Sequence, residues 1–132
     1  GVFEYSGDAP SRWRVDAGNW TPSFAADEDR VYFGSANTAV SALDAASGER
    51  IWQFNIPEGT FNYLLGAPAV AEGRLYFLTQ HGDIFCLDAG GGDLLWQVSS
   101  GISGARTGLT YHDGNLFVGD AEGELFAYRI RQ

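Results

Sequence analysis

The stretch Ala42-Leu43-Asp44-Ala45-Ala46-Ser47-Gly48-Glu49-Arg50-Ile51-Trp52 returns as Cys86-Leu87-Asp88-Ala89-Gly90-Gly91-Gly92-Asp93-Leu94-Leu95-Trp96. In each copy an Asp closes an apolar run, a Gly stands four residues later, and a Trp four residues after that. The chemistry of this spacing is structural. An Asp at a strand end accepts backbone N–H groups from the turn it opens. A Gly takes the positive-φ position that closes the turn. A Trp on the return strand buries a large apolar area.

Outward from this motif the whole chain repeats. Val31-Tyr32-Phe33-Gly34-Ser35 answers Leu75-Tyr76-Phe77-Leu78-Thr79 and Leu116-Phe117-Val118-Gly119-Asp120. Trp13, Trp52 and Trp96 are spaced 39 and 44 residues apart. A period near forty with aromatic and Gly marks predicts β-propeller blades. Each repeat reads as four short strands separated by polar turns. The first strands are Pro22–Ala26, Pro68–Ala71 and Leu109–Tyr111, and the second are the aromatic runs just quoted. The third are Val40–Leu43, Ile84–Leu87 and Leu125–Tyr128, and the Trp-bearing fourth are Arg50–Phe54 and Leu94–Val98. Ser11–Val15 reads as another fourth strand, and Val2–Tyr5 as a degenerate third. Nothing sustains helical periodicity over two turns.

The expected fold is therefore all-β: about three four-stranded antiparallel blades in one segment, 1–132, with repeats near 17–54, 55–98 and 99–132. Residues 1–16 then complete a neighbouring blade. Three blades do not close a propeller, which takes four to eight. The arc is read as a partial propeller, either the C-terminal part of a longer one or half of an oligomeric ring in which each Ser11–Val15 completes the other copy's last blade.

Composition bounds the function. The 132 residues are 45% hydrophobic and 19% charged, a globular balance for one domain at most. The net charge of −9 speaks against nucleic acid as a partner and against anionic membrane surfaces. No apolar run approaches the roughly 18 residues of a membrane span. All eight basic residues are Arg, so P-loop, Schiff-base and Ser–Lys chemistry have no Lys to use. One Cys permits no intrachain disulfide, and two His leave little for a zinc site. Asp44 and Asp88 recur within a turn motif, so they read as turn caps and not as metal ligands. Cys86 fills the slot of Ala42 and Ala127 and reads as a small core residue. Gly90-Gly91-Gly92 is followed by no helix and no Lys, so it reads as a hairpin. No catalytic, cofactor-binding or metal residue is assigned.

The Asp–Gly–Trp pattern resembles the PQQ-like, or quinoprotein-type, propeller repeat, whose signature is A-x-D-x-x-T-G-x-x-x-W. The first copy departs from it by Ser47 for Thr, and the second by Cys86 for Ala and Gly91 for Thr. In the third repeat Ala127-Tyr128-Arg129 stands where Ala-x-Asp is expected. The resemblance implies that Asp44, Gly48, Trp52, Asp88, Gly92 and Trp96 dock neighbouring blades, with the Trp packed between them. It implies a fold and not a bound quinone. Related repeats occur in envelope assembly lipoproteins and in sensor regions of bacterial receptor kinases, which implies an extracytoplasmic, non-catalytic module for protein interaction, scaffolding or ligand sensing. The alternative is a fragment of a PQQ-dependent alcohol dehydrogenase, which would bring a Ca²⁺ site and a vicinal disulfide. No such Cys pair is present. The segments before each first strand share one rim and vary between repeats. Asn19, Trp20, Asn62, Tyr63 and Arg106 are the candidate binding residues there.

Overall fold

A computed structural model describes residues 13–15, 24–35, 39–57, 66–102 and 109–130. The described chain is all-β. Blade 1 consists of β1 (Phe24–Ala26), β2 (Arg30–Ser35), β3 (Ala39–Asp44) and β4 (Arg50–Asn55). Blade 2 consists of β5 (Ala69–Ala71), β6 (Arg74–Leu78), β7 (Asp83–Asp88) and β8 (Leu94–Ser99). Blade 3 consists of β9 (Thr110–His112), β10 (Asn115–Gly119) and β11 (Leu125–Arg129). Every pairing is antiparallel between consecutive strands, and the sheets are not closed into a ring.

The third blade has three strands among the described residues, as its early departure from the motif predicts. Two expectations need correction. Trp13–Val15 makes no strand, although its neighbours Ser11 and Arg12 lie outside the described residues. His112, one residue beyond the expected first strand Leu109–Tyr111, is the last residue of β9. Val2–Tyr5 also lies outside the described residues.

Burial along the strands shows how the blades stack. The central strands β3 and β7 bury both faces almost throughout. A sheet covered on both sides needs a continuous apolar run, and Ala39–Leu43 and Ile84–Leu87 supply one, interrupted only by Ser41. Between blades 1 and 2 the core holds Tyr32, Val40, Ala42 and Trp52 against Leu75, Phe77, Phe85 and Leu87. Phe77 and Phe85 stack there at 5.0 Å, with Phe54 edge-on to Phe85 at 6.1 Å. Between blades 2 and 3 a second core joins Tyr76, Leu78, Ile84 and Cys86 to Leu116 and Val118. In β11 burial instead alternates between exposed and half-buried residues, the pattern of a sheet covered on one face.

Candidate functional site

The motif residues meet at the joints between blades. Asp44 ends β3 and caps its own turn: its Oδ1 accepts the backbone N–H of Ala46 at 2.8 Å and of Ser47 at 3.0 Å. Those bonds hold the Asp44 carboxyl below the usual carboxylate range. Asp88 does the same for Gly90 at 3.1 Å. Gly48 and Gly92 then donate their N–H to the Asp44 and Asp88 carbonyls at 2.8 and 2.7 Å, with φ of +78° and +79°.

The close approach at these glycines has a second cause. A Cβ on Gly92 would lie 2.5 Å from Trp52 Cδ2, and one on Gly48 would lie 2.7 Å from Trp13 Cδ2. Each Trp therefore lies flat against the turn of the following repeat. Its ring N–H completes the dock: Trp52 Nε1 donates to the Ala89 carbonyl and Trp13 Nε1 to the Ala45 carbonyl, both at 2.8 Å. Arg30 reinforces the first of these joints, its Nη1 donating to the carbonyls of Ala89 at 2.7 Å and Gly90 at 2.9 Å. A β-bulge places the Trp. Ala42 pairs with Trp52 and Leu43 with Arg50, so Ile51 is the extra residue, and Leu95 repeats this in blade 2.

Trp96 departs from the expectation. It pairs with Cys86 as Trp52 pairs with Ala42, and it lies 6.0 Å from Tyr76 as Trp52 lies 6.1 Å from Tyr32. It is only half-buried, however, whereas Trp52 is buried. Its ring N–H has no acceptor among the described residues. The physical reason is that the third repeat has Arg129-Ile130 in place of Asp-Ala, so no Asp-capped turn lies beneath the indole among the described residues. Ile130 does keep the backbone bond of its counterparts, donating to the Gly114 carbonyl at 2.9 Å as Ala45 and Ala89 donate to Asp29 and Gly73. Aromatic contacts take over at this joint: Tyr76 stacks on Tyr111 at 5.9 Å, and the Tyr128 hydroxyl donates to the Ser100 carbonyl at 2.9 Å.

Cys86 is fully buried, as its slot predicts, and burial pushes its thiol up to about 11, away from thiolate chemistry. His81 and His112 lie in or beside turns at opposite ends of the blades, so they do not come together.

Two acidic features were not assigned from the sequence. An open notch of about 370 Å³ between blades 1 and 2 is lined by Asp27, Glu28, Asp29 and Glu72 together with Val70, Ala71 and Gly73. Burial alone would raise the Asp27 carboxyl, but the Tyr32 hydroxyl at 2.8 Å and the backbone N–H groups of Asp29 and Arg30 hold it below its ordinary value. Tyr32 answers in the other direction, pushed up to about 12 by burial and by the Asp27 carboxylate. In blade 3 the ligand oxygens of Asp120, Glu122 and Glu124 lie within 4.8 Å of one another. Carboxylates of this kind suit a hard cation. The turn itself accounts for the gathering, since Asp120 Oδ1 accepts the backbone N–H of Glu122 and Glu124, each at 2.9 Å. The alternation Asp-x-Glu-x-Glu was the sequence signal for it.

The rim candidates Asn19, Trp20, Asn62, Tyr63 and Arg106 all lie outside the described residues.

Repeated blades joined by Trp-on-turn docks define an arc of a β-propeller. A family model described as outer membrane protein assembly factor BamB matches residues 7–132, and the chain belongs to this PQQ-like repeat family. No curated protein matches the sequence. Among solved structures, the computationally designed Ika4 protein is similar at 17% identity and a TM-score of 0.70, over 84% of this chain and 66% of that one. BamB from Moraxella catarrhalis is similar at 23% identity and 0.60, over 80% of this chain and 31% of that one. The quinohemoprotein alcohol dehydrogenase ADHIIG from Pseudomonas putida HK5 gives 23% and 0.62, over 80% of this chain and 18% of that one. The chain thus spans less than two thirds of each, and at these identities the likeness is one of fold.

Proposed function

We propose that this chain is a non-catalytic propeller module that binds a protein partner, acting in scaffolding or sensing in the bacterial cell envelope. The observation that carries this reading is the engagement of the motif residues in the fold. Asp44 and Asp88 cap turns, Trp13 and Trp52 bind carbonyls of the next repeat, and Cys86 is buried. What remains for function is surface, which is what a scaffold offers. Membership of a family described as an outer membrane assembly factor supports the extracytoplasmic placement and the protein partner. The alternative, a piece of a PQQ-dependent alcohol dehydrogenase, has a likeness of fold alone behind it.

Photo-crosslinking side chains at the candidates Asn62, Tyr63 and Arg106, and at Gly73 and Gly114 in the β5–β6 and β9–β10 turns, test the reading in exported protein. Discrete protein adducts from the first set only are expected. Adducts spread equally over both sets would overturn it. So would saturable binding of PQQ with Ca²⁺ or dye-linked alcohol oxidation by the purified chain.

A further inference from the structure

Ala42 and Cys86 occupy the same slot in successive blades, each opposite the Trp of its own outer strand and each fully buried. They serve different joints. Ala42 belongs to the core between blades 1 and 2, and Cys86 to the core between blades 2 and 3.

The two joints are held unequally. Across the first, side chains of blade 1 bind main-chain carbonyls of blade 2 at short distances: Trp52 to Ala89 at 2.8 Å, and Arg30 to Ala89 at 2.7 Å and Gly90 at 2.9 Å. The Asp88 carboxylate holds that turn in place through the Gly90 N–H. At the second joint Trp96 and Arg74 stand where Trp52 and Arg30 stand in the first. Blade 3 answers them with Arg129-Ile130 in place of Asp88-Ala89. The position that holds an anion in blade 2 thus holds a cation in blade 3, of the same sign as Arg74. Neutral bonds hold this joint instead. The Tyr111 hydroxyl donates to Glu72 at 3.1 Å in an exposed place, the Tyr128 hydroxyl to the Ser100 carbonyl at 2.9 Å, and the Leu109 N–H to the Ala67 carbonyl at 3.3 Å. Water replaces an exposed hydroxyl bond at little cost. We propose that the joint between blades 2 and 3 is the hinge of the arc: it opens locally, with the strands of each blade intact, while blades 1 and 2 stay joined. Opening uncovers Tyr76, Cys86 and Trp96 on blade 2 and Leu116 and Val118 on blade 3. Sub-global openings of this kind run along the least stabilised contacts of a fold.

Cys86 is the single thiol of the chain, so its reaction with dithionitrobenzoate reads the opening directly. In the unaltered full chain, labelling should run on the order of 10-fold or more faster than global unfolding allows, with a shallower dependence on urea than the global melt. A second measurement moves the thiol to the other joint. Cys86→Ala with Ala42→Cys exchanges the residues that the two repeats already place in this slot, and its thiol should react only as fast as global unfolding allows. Arg129→Asp restores the anion of the motif. It should slow the labelling of Cys86 severalfold and leave the thiol of Ala42→Cys unchanged. Labelling of Cys86 that follows the global melt in rate and urea slope would overturn the proposal. So would equal sub-global labelling at both positions, or an unchanged Cys86 rate in Arg129→Asp.

Discussion

Val40, Ile84 and Leu125 hold the same place in three successive blades, and their exposures are 0%, 2% and 79%. Ala42 and Cys86 are likewise fully buried, whereas Ala127 is exposed. The strands around these residues are alike, so strand formation does not explain the difference. What differs is the layer beyond. Blade 2 closes over Val40, blade 3 closes over Ile84, and no described residue closes over Leu125. A propeller blade thus resembles one layer of a stack: its local structure forms from its own hairpins, but half of its apolar burial belongs to its neighbour.

Removing the pin from each joint should separate them most sharply. Trp52→Ala deletes a buried indole, its bond to Ala89 and its contact with Tyr32, and should cost about 3–5 kcal/mol. Trp96→Ala deletes a half-buried ring without that bond and should cost roughly 1–3 kcal/mol. Denaturant melts of the two variants read the gap, and equal losses would break the comparison.

Glycines at positive φ give the next contrast. Gly92→Ala meets both a left-handed backbone and the Trp52 ring, and should cost about 2–4 kcal/mol. Gly123→Ala in blade 3 has a φ of +86° but nothing within 4 Å of the added carbon. Backbone strain alone predicts about 1–2 kcal/mol there. Thermal melts of the pair separate strain from contact.

Arg30→Ala removes two charge-assisted bonds at a partly exposed site. About 1 kcal/mol is expected, with a weaker effect at high salt.

Titration gives the smallest effects. The Asp27 and Asp44 carboxyls are held below their ordinary value of 3.8 in the folded chain. The stability they contribute is complete above that value and is lost as pH falls through their folded values. Asp27→Asn should therefore flatten the acid limb of a stability–pH curve. Tyr32 runs the other way. Its hydroxyl is raised from 10.0 to about 12, so its contribution is complete below 10.0 and disappears as pH rises towards 12. Tyr32→Phe should flatten that alkaline limb. An unchanged curve in either variant would show that the Tyr32–Asp27 bond does not support the blade-1 joint.

The motif and the strands of the three described blades were legible in the sequence, because turn chemistry and strand alternation are written in neighbouring residues. The Asp–Gly–Trp spacing even named the residues of the joints. Which turn each Trp docks on was not legible from spacing, since Trp52 bonds a carbonyl 37 positions along the chain and not the turn four residues before it. The bulges at Ile51 and Leu95, which aim each Trp, leave no local mark in composition either. Nor could matched motifs foretell that Trp52 is buried and Trp96 half-exposed, because that depends on the turn presented by the next blade. The sequence by itself determined the blades and their order, since hairpins and apolar runs are short-range properties of the chain. Only the tertiary structure decided which faces are covered, because burial of a blade is a property of the layer stacked upon it.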